Sequence, residues 1–150
     1  MLRLSKKLLF AIEAVLDIAY NASALPVQSS EITRRQGIPR RYLEQVLQHF
    51  VRSGILSGTR GPRGGYRLAR ERRRITLGEI VRTAMSLSTA DPEDLGANSV
   101  LLERVIDPAV RRAGETFLAN LDSITVEQMC ETAEKAHVLD DEKAAGDFAI

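Results

Sequence analysis

A chain of 150 residues with 44% apolar side chains has the size of one domain and enough nonpolar surface for a core, which argues against disorder and against a multidomain enzyme. The net charge of +1 hides an asymmetry, because residues through Met85 carry 16 Lys+Arg against 6 Asp+Glu, while Ser86 to Ile150 carry 5 against 14. A basic half joined to an acidic half points to a surface that meets a polyanion, and nucleic acid is the first reading.

Arg3, Lys6 and Lys7 precede Leu8-Leu9-Phe10-Ala11-Ile12 as in a secretory signal, but Glu13 and Asp17 interrupt the apolar run, so the segment reads as a helix. No stretch approaches the roughly 20 apolar residues of a membrane span, and the expectation is a cytoplasmic protein. Leu8, Ala11, Ile12, Val15 and Ala19 share one face of a first helix, from about Leu4 to Ala22. Ser29 or Ser30 is placed to cap a short second helix through Arg35, with Gly37 turning the chain left-handed after it. A third helix is predicted from near Pro39 to Gly54, burying Leu43, Val46, Leu47, Phe50 and Val51. Its opposite side carries Arg40, Arg41, Glu44, Gln45, Gln48 and Arg52, with Tyr42 and His49 on the flank.

Two short strands, Ile55 to Arg60 and Tyr66 to Ala69, flank Gly61-Pro62-Arg63-Gly64-Gly65 and read as a hairpin with arginines on its tip. After the basic run Arg70 to Arg74, Thr76-Leu77-Gly78-Glu79 opens a helix through a capping box, with Leu77, Ile80, Val81 and Ala84 spaced for burial. Ser86 to Asn98, with Asp91, Pro92, Glu93, Asp94 and Gly96, reads as a loop. A long helix follows to Leu121, with a stripe of Leu102, Val105, Ile106, Ala109, Ala113 and Phe117. Either Pro108 kinks it, or Asp107 caps a new segment with Pro108 first. Thr125-Val126-Glu127-Gln128 is a second capping box, leading into a helix with Val126, Met129, Cys130, Ala133 and His137 on one face. The organisation expected is thus a DNA-binding domain over 1–85, an acidic loop over 86–98, a helical dimerisation or effector region over 99–139 and an acidic tail over 140–150.

The fold class predicted is mainly α with a small β-hairpin, in the order of a winged helix-turn-helix, where the second helix of the motif enters the major groove and the wing touches the adjacent backbone or minor groove. Ile38-Pro39-Arg40-Arg41-Tyr42-Leu43-Glu44-Gln45-Val46-Leu47 followed by Arg60-Gly61-Pro62-Arg63-Gly64-Gly65-Tyr66-Arg67-Leu68 closely resembles the Rrf-two family of bacterial transcription regulators, the IscR-, NsrR- and CymR-like group. The likeness runs from Leu4 to about Met85 and continues more loosely through Leu121-Asp122-Ser123-Ile124-Thr125. The resemblance implies a homodimeric regulator, usually a repressor, on a pseudopalindromic operator.

It also implies that Pro39, Arg40, Arg41, Tyr42 and Gln45 begin the recognition helix and that Arg60, with Arg63 beside it on the wing, reaches DNA. Arginine can bond both guanine acceptors, glutamine can pair with adenine, and a narrow minor groove attracts an inserted arginine. Glu44 either excludes wrong bases or pairs with Arg40 or Arg41.

Many family members hold an iron–sulfur cluster through three cysteines before the dimer helix. No cysteine occurs between Ser86 and Val110 here, and Asp91, Glu93 and Asp94 are hard oxygen donors, so no cofactor is expected. The single Cys130 excludes an intramolecular disulfide. It reads as a buried small hydrophobe, with a Cys130-Glu134-His137 metal set or a redox thiol as the alternatives. No nucleotide loop precedes a helix and no catalytic constellation is evident, so an enzyme is not expected. A protein-interaction module on the same fold, with DNA binding secondary, is the competing reading. A small-molecule or protein effector is compatible with either.

Overall fold

The computed structural model describes residues 3–87 and 96–138, and the acidic loop residues Asp91, Glu93 and Asp94 and the acidic tail expected from Asp140 lie outside the described residues. Helix α1 spans Lys6–Asn21, started by Ser5, whose Oγ accepts from the Leu8 N–H at 3.4 Å. Its inner face is Ala11, Ala14, Val15, Ile18 and Ala19, with Leu8 and Ile12 of the predicted stripe only partly covered. α1 packs against four later helices and one strand of the hairpin and forms the centre of the fold.

Helix α2 (Ser29–Gln36) begins one residue earlier than the expected serine caps, because Gln28 holds the N-cap position and donates its N–H to Glu31 Oε2 at 3.1 Å. Gly37, at φ +68°, ends α2 as predicted. Helix α3 (Arg40–Arg52) buries Leu43, Val46, Leu47 and Phe50. Pro39 is its N-cap rather than its first helical residue, since its extended backbone already offers its carbonyl to the Leu43 N–H at 3.0 Å. Strands β1 (Leu56–Thr59) and β2 (Gly65–Leu68) pair antiparallel, with Leu56 opposite Leu68 and Thr59 opposite Gly65.

The wing is also stitched to the connector between α1 and α2. Val27 and Tyr66 exchange backbone hydrogen bonds of 3.0 and 2.7 Å. Gly65 permits that approach, for a Cβ there would sit 2.5 Å from the Val27 carbonyl oxygen, at a φ of +151° that side chains rarely adopt.

Helix α4 (Leu77–Leu87) is capped by Thr76, whose Oγ1 accepts from the Glu79 N–H at 3.1 Å. The Glu79 carboxylate turns instead to Arg70. The long helix consists of a π-helical turn, Leu102–Ile106, running into α5 (Asp107–Asp122). Of the two expected treatments of Pro108, the cap by Asp107 does not hold. The π turn bonds the Asp107 N–H to Leu102 O, five residues back, so Pro108 enters at the first α-helical turn, where its missing N–H matters least. Asp107 is itself helical and pairs with Arg111 at 2.8 Å instead of capping.

Helix α6 (Val126–Lys135) starts with the predicted box, in which the Gln128 N–H donates to Thr125 Oγ1 at 3.2 Å and the Thr125 N–H donates to Gln128 Oε1 at 2.9 Å. The chain after α5 returns to pack on the basic half. Leu77 N–H donates to Ile124 O at 2.8 Å, Val126 N–H donates to Ile75 O at 2.9 Å, and Val126 and Cys130 lie in the same core as Ile18 and Phe50. Gly78 makes room for the end of α5, since a Cβ there would meet Asp122 Oδ1 at 1.9 Å, and Asp122 forms a two-point ion pair with Arg82.

Asp17 is fully buried and accepts from Arg35 at 2.9 and 2.7 Å and from Gln36 at 2.9 Å. Asp17→Ala strands the Arg35 guanidinium, only 10% exposed, and is expected to cost about 3–5 kcal/mol in urea titrations. The hydrogen bond from Arg82 holds the Asp122 carboxyl below its ordinary pKa. Its contribution is therefore complete above the unfolded value and lost as pH falls through the lowered folded one. Asp122→Asn should flatten the acid limb of the stability curve, measured by urea titration at several pH values.

Candidate nucleic-acid interface

A groove of about 780 Å³ runs between the start of α2, the exposed side of α3 and the wing, bordered by Ser29, Ser30, Arg40, Gln48, Arg52 and Arg60. Residues 40, 44, 48 and 52 lie four apart on one helical row, which is why Arg40, Gln48 and Arg52 face the wing together. The sequence placed Gln48 and Arg52 on the exposed side of α3 without assigning them to a site, and that row was the signal that picks them out.

Pro39, Arg40, Arg41 and Gln45 are exposed at the start of α3, and Arg60 and Arg63 are exposed on the wing tip. Arg40 donates from Nε to Glu44 Oε1 at 2.9 Å, so the pairing alternative for Glu44 is the arrangement found. Tyr42 sits differently from its neighbours. Its hydroxyl donates to the Lys7 carbonyl at 2.5 Å, its ring lies 6.5 Å from that of Phe10, and burial raises its pKa. Gln45 and Tyr42 border a small cleft with Lys7 on the side of α3 turned toward α1 and α4. His49 ties the same helix to α4, with Nε2 3.0 Å from the Thr83 carbonyl oxygen and 2.8 Å from Ser86 Oγ.

The basic half has two populations of arginine. Arg67 donates to the Ser23 and Ala24 carbonyls at 2.5 and 2.8 Å, and Arg72 donates to the Ala19 carbonyl at 2.5 Å. Arg70 bonds Gly54 O, Arg74 O and Glu79, while Arg35, Arg73 and Arg82 are held by carboxylates. Arg67 ties the hairpin, and Arg70 and Arg72 the segment after it, to the ends of α1 and α3, while Arg35 and Arg82 join helices and Arg73 pairs locally with Glu71. Arg3, Arg34 and Arg74 have no side-chain hydrogen-bond or ion-pair partner among the described residues, and the same holds for Arg41, Arg52, Arg60 and Arg63. The last four stand on α3 and the wing, where the potential of an anionic duplex is felt with least competition.

The Cys130-Glu134-His137 set does not assemble. Helix α6 stops at Lys135, His137 is exposed with φ +56°, and Cys130 is 1% exposed within the core. Among the described residues no three His, Cys, Asp or Glu side chains gather as a metal site. Burial pushes the Cys130 thiol up, and the cation that opposes this is Arg72, brought in by the fold. Cys130 should therefore react with a disulfide reagent only at the rate of protein opening. Arg72→Ala should cost about 1–3 kcal/mol of stability, read by thermal or urea melts, while leaving the salt dependence of DNA binding unchanged.

Residues 4–132 match the family model named Rrf2, an iron-dependent transcriptional regulator. Over 80 residues the chain is 41% identical to the HTH-type transcriptional regulator IscR of Escherichia coli O1:K1 / APEC, covering 53% of this chain and 49% of that protein. The match thus spans about half the length of the curated relatives. T. potens IscR is similar in structure, with a TM-score of 0.69 at 31% identity over 90% of each chain. CymR, the global cysteine regulator of B. subtilis, gives a TM-score of 0.63 at 25% identity over 88% of this chain and 98% of that one. With an order of elements, a wing and a recognition helix that agree with these neighbours, the chain belongs to the Rrf2 family of winged helix-turn-helix transcriptional regulators.

Proposed function

We propose that this protein binds a pseudopalindromic DNA operator as a homodimer and represses transcription from it, without an iron–sulfur cluster. The observation that carries the reading is the convergence of partner-free arginines on one groove. Arg52 and Arg60 border it, and Arg41 and Arg63 flank it on the same two elements, whereas the other cations of the wing's base are engaged internally. Arg40, Arg41 and Gln45 then present donors to base edges in the major groove. Arg60 enters the minor groove, and Arg52 and Arg63 meet phosphates. Tyr42 contributes by holding the start of α3 against Lys7 and Phe10.

Dimerisation is supported by the long helix, whose Leu101, Val105, Ile106, Val110 and Phe117 are left 38–62% exposed. A stripe of that size on one protomer is covered most simply by the same stripe of a second. Two recognition helices would then read half-sites about 34 Å apart or a multiple of that.

The family description names iron, but the donor set of this chain does not fit a thiolate-bound cluster. Its single cysteine is enclosed by the core of the winged domain, away from the long helix's N-terminal side. The purified protein should be colourless between 300 and 500 nm and free of stoichiometric iron. A brown preparation with bound iron would overturn this part of the reading.

Selection of bound fragments from random DNA at about physiological salt should return a palindromic consensus. Gln45→Ala or Arg60→Ala should cost about 1–3 kcal/mol at particular base pairs, and equal losses on cognate and scrambled duplexes would remove their reading role. Arg52→Ala should weaken all sequences alike and lower the salt slope by about one unit per phosphate contact, hence about two for a dimer, measured by fluorescence anisotropy. Val105→Asp should yield monomers in light scattering. If selection enriches nothing, the protein-interaction reading takes precedence.

A further inference from the structure

The tip of the wing has little to hold it. Between Thr59 and Gly65 the chain makes one turn bond of its own, from the Gly64 N–H to Gly61 O at 2.9 Å. Its link to the rest of the fold is a side chain that the sequence did not single out. Gln28 donates from Nε2 to the Pro62 carbonyl at 3.2 Å, across 34 residues of chain. Pro62 has no N–H, so this carbonyl is the only backbone hydrogen-bonding group by which that residue can be held.

Gln28 is itself fixed at its other end. It caps α2 with its N–H on Glu31, and it follows Val27, whose backbone pairs with Tyr66 at the base of the wing. The start of α2, the wing base and the wing tip therefore form one unit, and Arg60 leaves that unit toward the groove. We propose that Gln28 is a positioning residue for DNA recognition, whose amide holds the Pro62 carbonyl and so sets the direction in which Arg60 extends. The inference rests on the DNA-binding reading above. Holding the tip in advance reduces the ordering that binding would otherwise require.

The test is a double-mutant cycle between Gln28→Met, which keeps the length and removes the donor, and Arg60→Ala. Binding is measured by anisotropy on the duplex that selection returns and on a scrambled duplex, with hydrogen exchange of the Gly61 and Gly64 amides read in free protein. Gln28→Met is expected to weaken the selected duplex about two- to tenfold, the net worth of one ordinary hydrogen bond, and to leave the scrambled duplex unchanged. In the Arg60→Ala background the same substitution should add nothing. Exchange at the tip amides should quicken, while the amides of α2 keep their protection.

An equal loss in both backgrounds would assign Gln28 a direct phosphate contact and overturn the proposal. So would tip amides that exchange as in the wild type. A wild-type protein that does not distinguish the two duplexes overturns the DNA reading and the proposal together. The exchange measurement, made without DNA, shows separately whether Gln28 holds the tip.

Discussion

A carboxylate with no access to water must be matched by donors, and Asp17 in the middle of α1 takes three of them from α2, two from Arg35 and one from Gln36. Because the pair is two-pronged, α2 is fixed in rotation as well as distance against α1. The left-handed turn at Gly37 then carries the chain directly into α3, so the orientation of α3 follows from that clamp. The wing follows from it too, since Val27, which pairs with Tyr66, is two residues before α2 begins. The two ends of α2 thus position the two elements, the C-terminal end α3 and the N-terminal end the wing.

The arginines show how one residue type serves two purposes in the same half of the chain. A guanidinium can bond several carbonyls at once, and Arg67, Arg70 and Arg72 use that capacity on the backbone ends of α1, α3 and the 3₁₀ turn over Arg72–Arg74. Counted by sequence they are indistinguishable from Arg41, Arg52, Arg60 and Arg63. In the fold the first group is neutralised by carbonyl dipoles or carboxylates, and only the second projects into solvent. The acidic half takes part in the same scheme, with Asp122 closing on Arg82 beside Gly78 and α6 completing the core over α1.

Local signals were legible wherever a short-range hydrogen bond decides the outcome. Gly37 and the Thr125 box stand where the pattern put them, and the apolar spacing of α3 picked out Leu43, Val46, Leu47 and Phe50 as buried. Less was legible elsewhere. Tyr42 shares its stretch of sequence with exposed neighbours, but its hydroxyl bonds the Lys7 carbonyl and its ring lies beside Phe10. Asp107 was one candidate cap ahead of Pro108, but it is itself helical, and a wider π turn over Leu102–Ile106 precedes it. His137 looked like part of an apolar face, but α6 ends before it and it lies in solvent.

What the sequence determined by itself was therefore the list and order of elements, the turn residues and the separation of charge, because propensity, capping and periodicity act over a few residues. The tertiary structure alone decided which arginines remain available to an anion, which row of α3 faces the wing, and that Gln28 reaches Pro62. Those outcomes depend on contacts between residues tens of positions apart, and neither composition nor spacing encodes which of several equivalent side chains will find a carbonyl within reach.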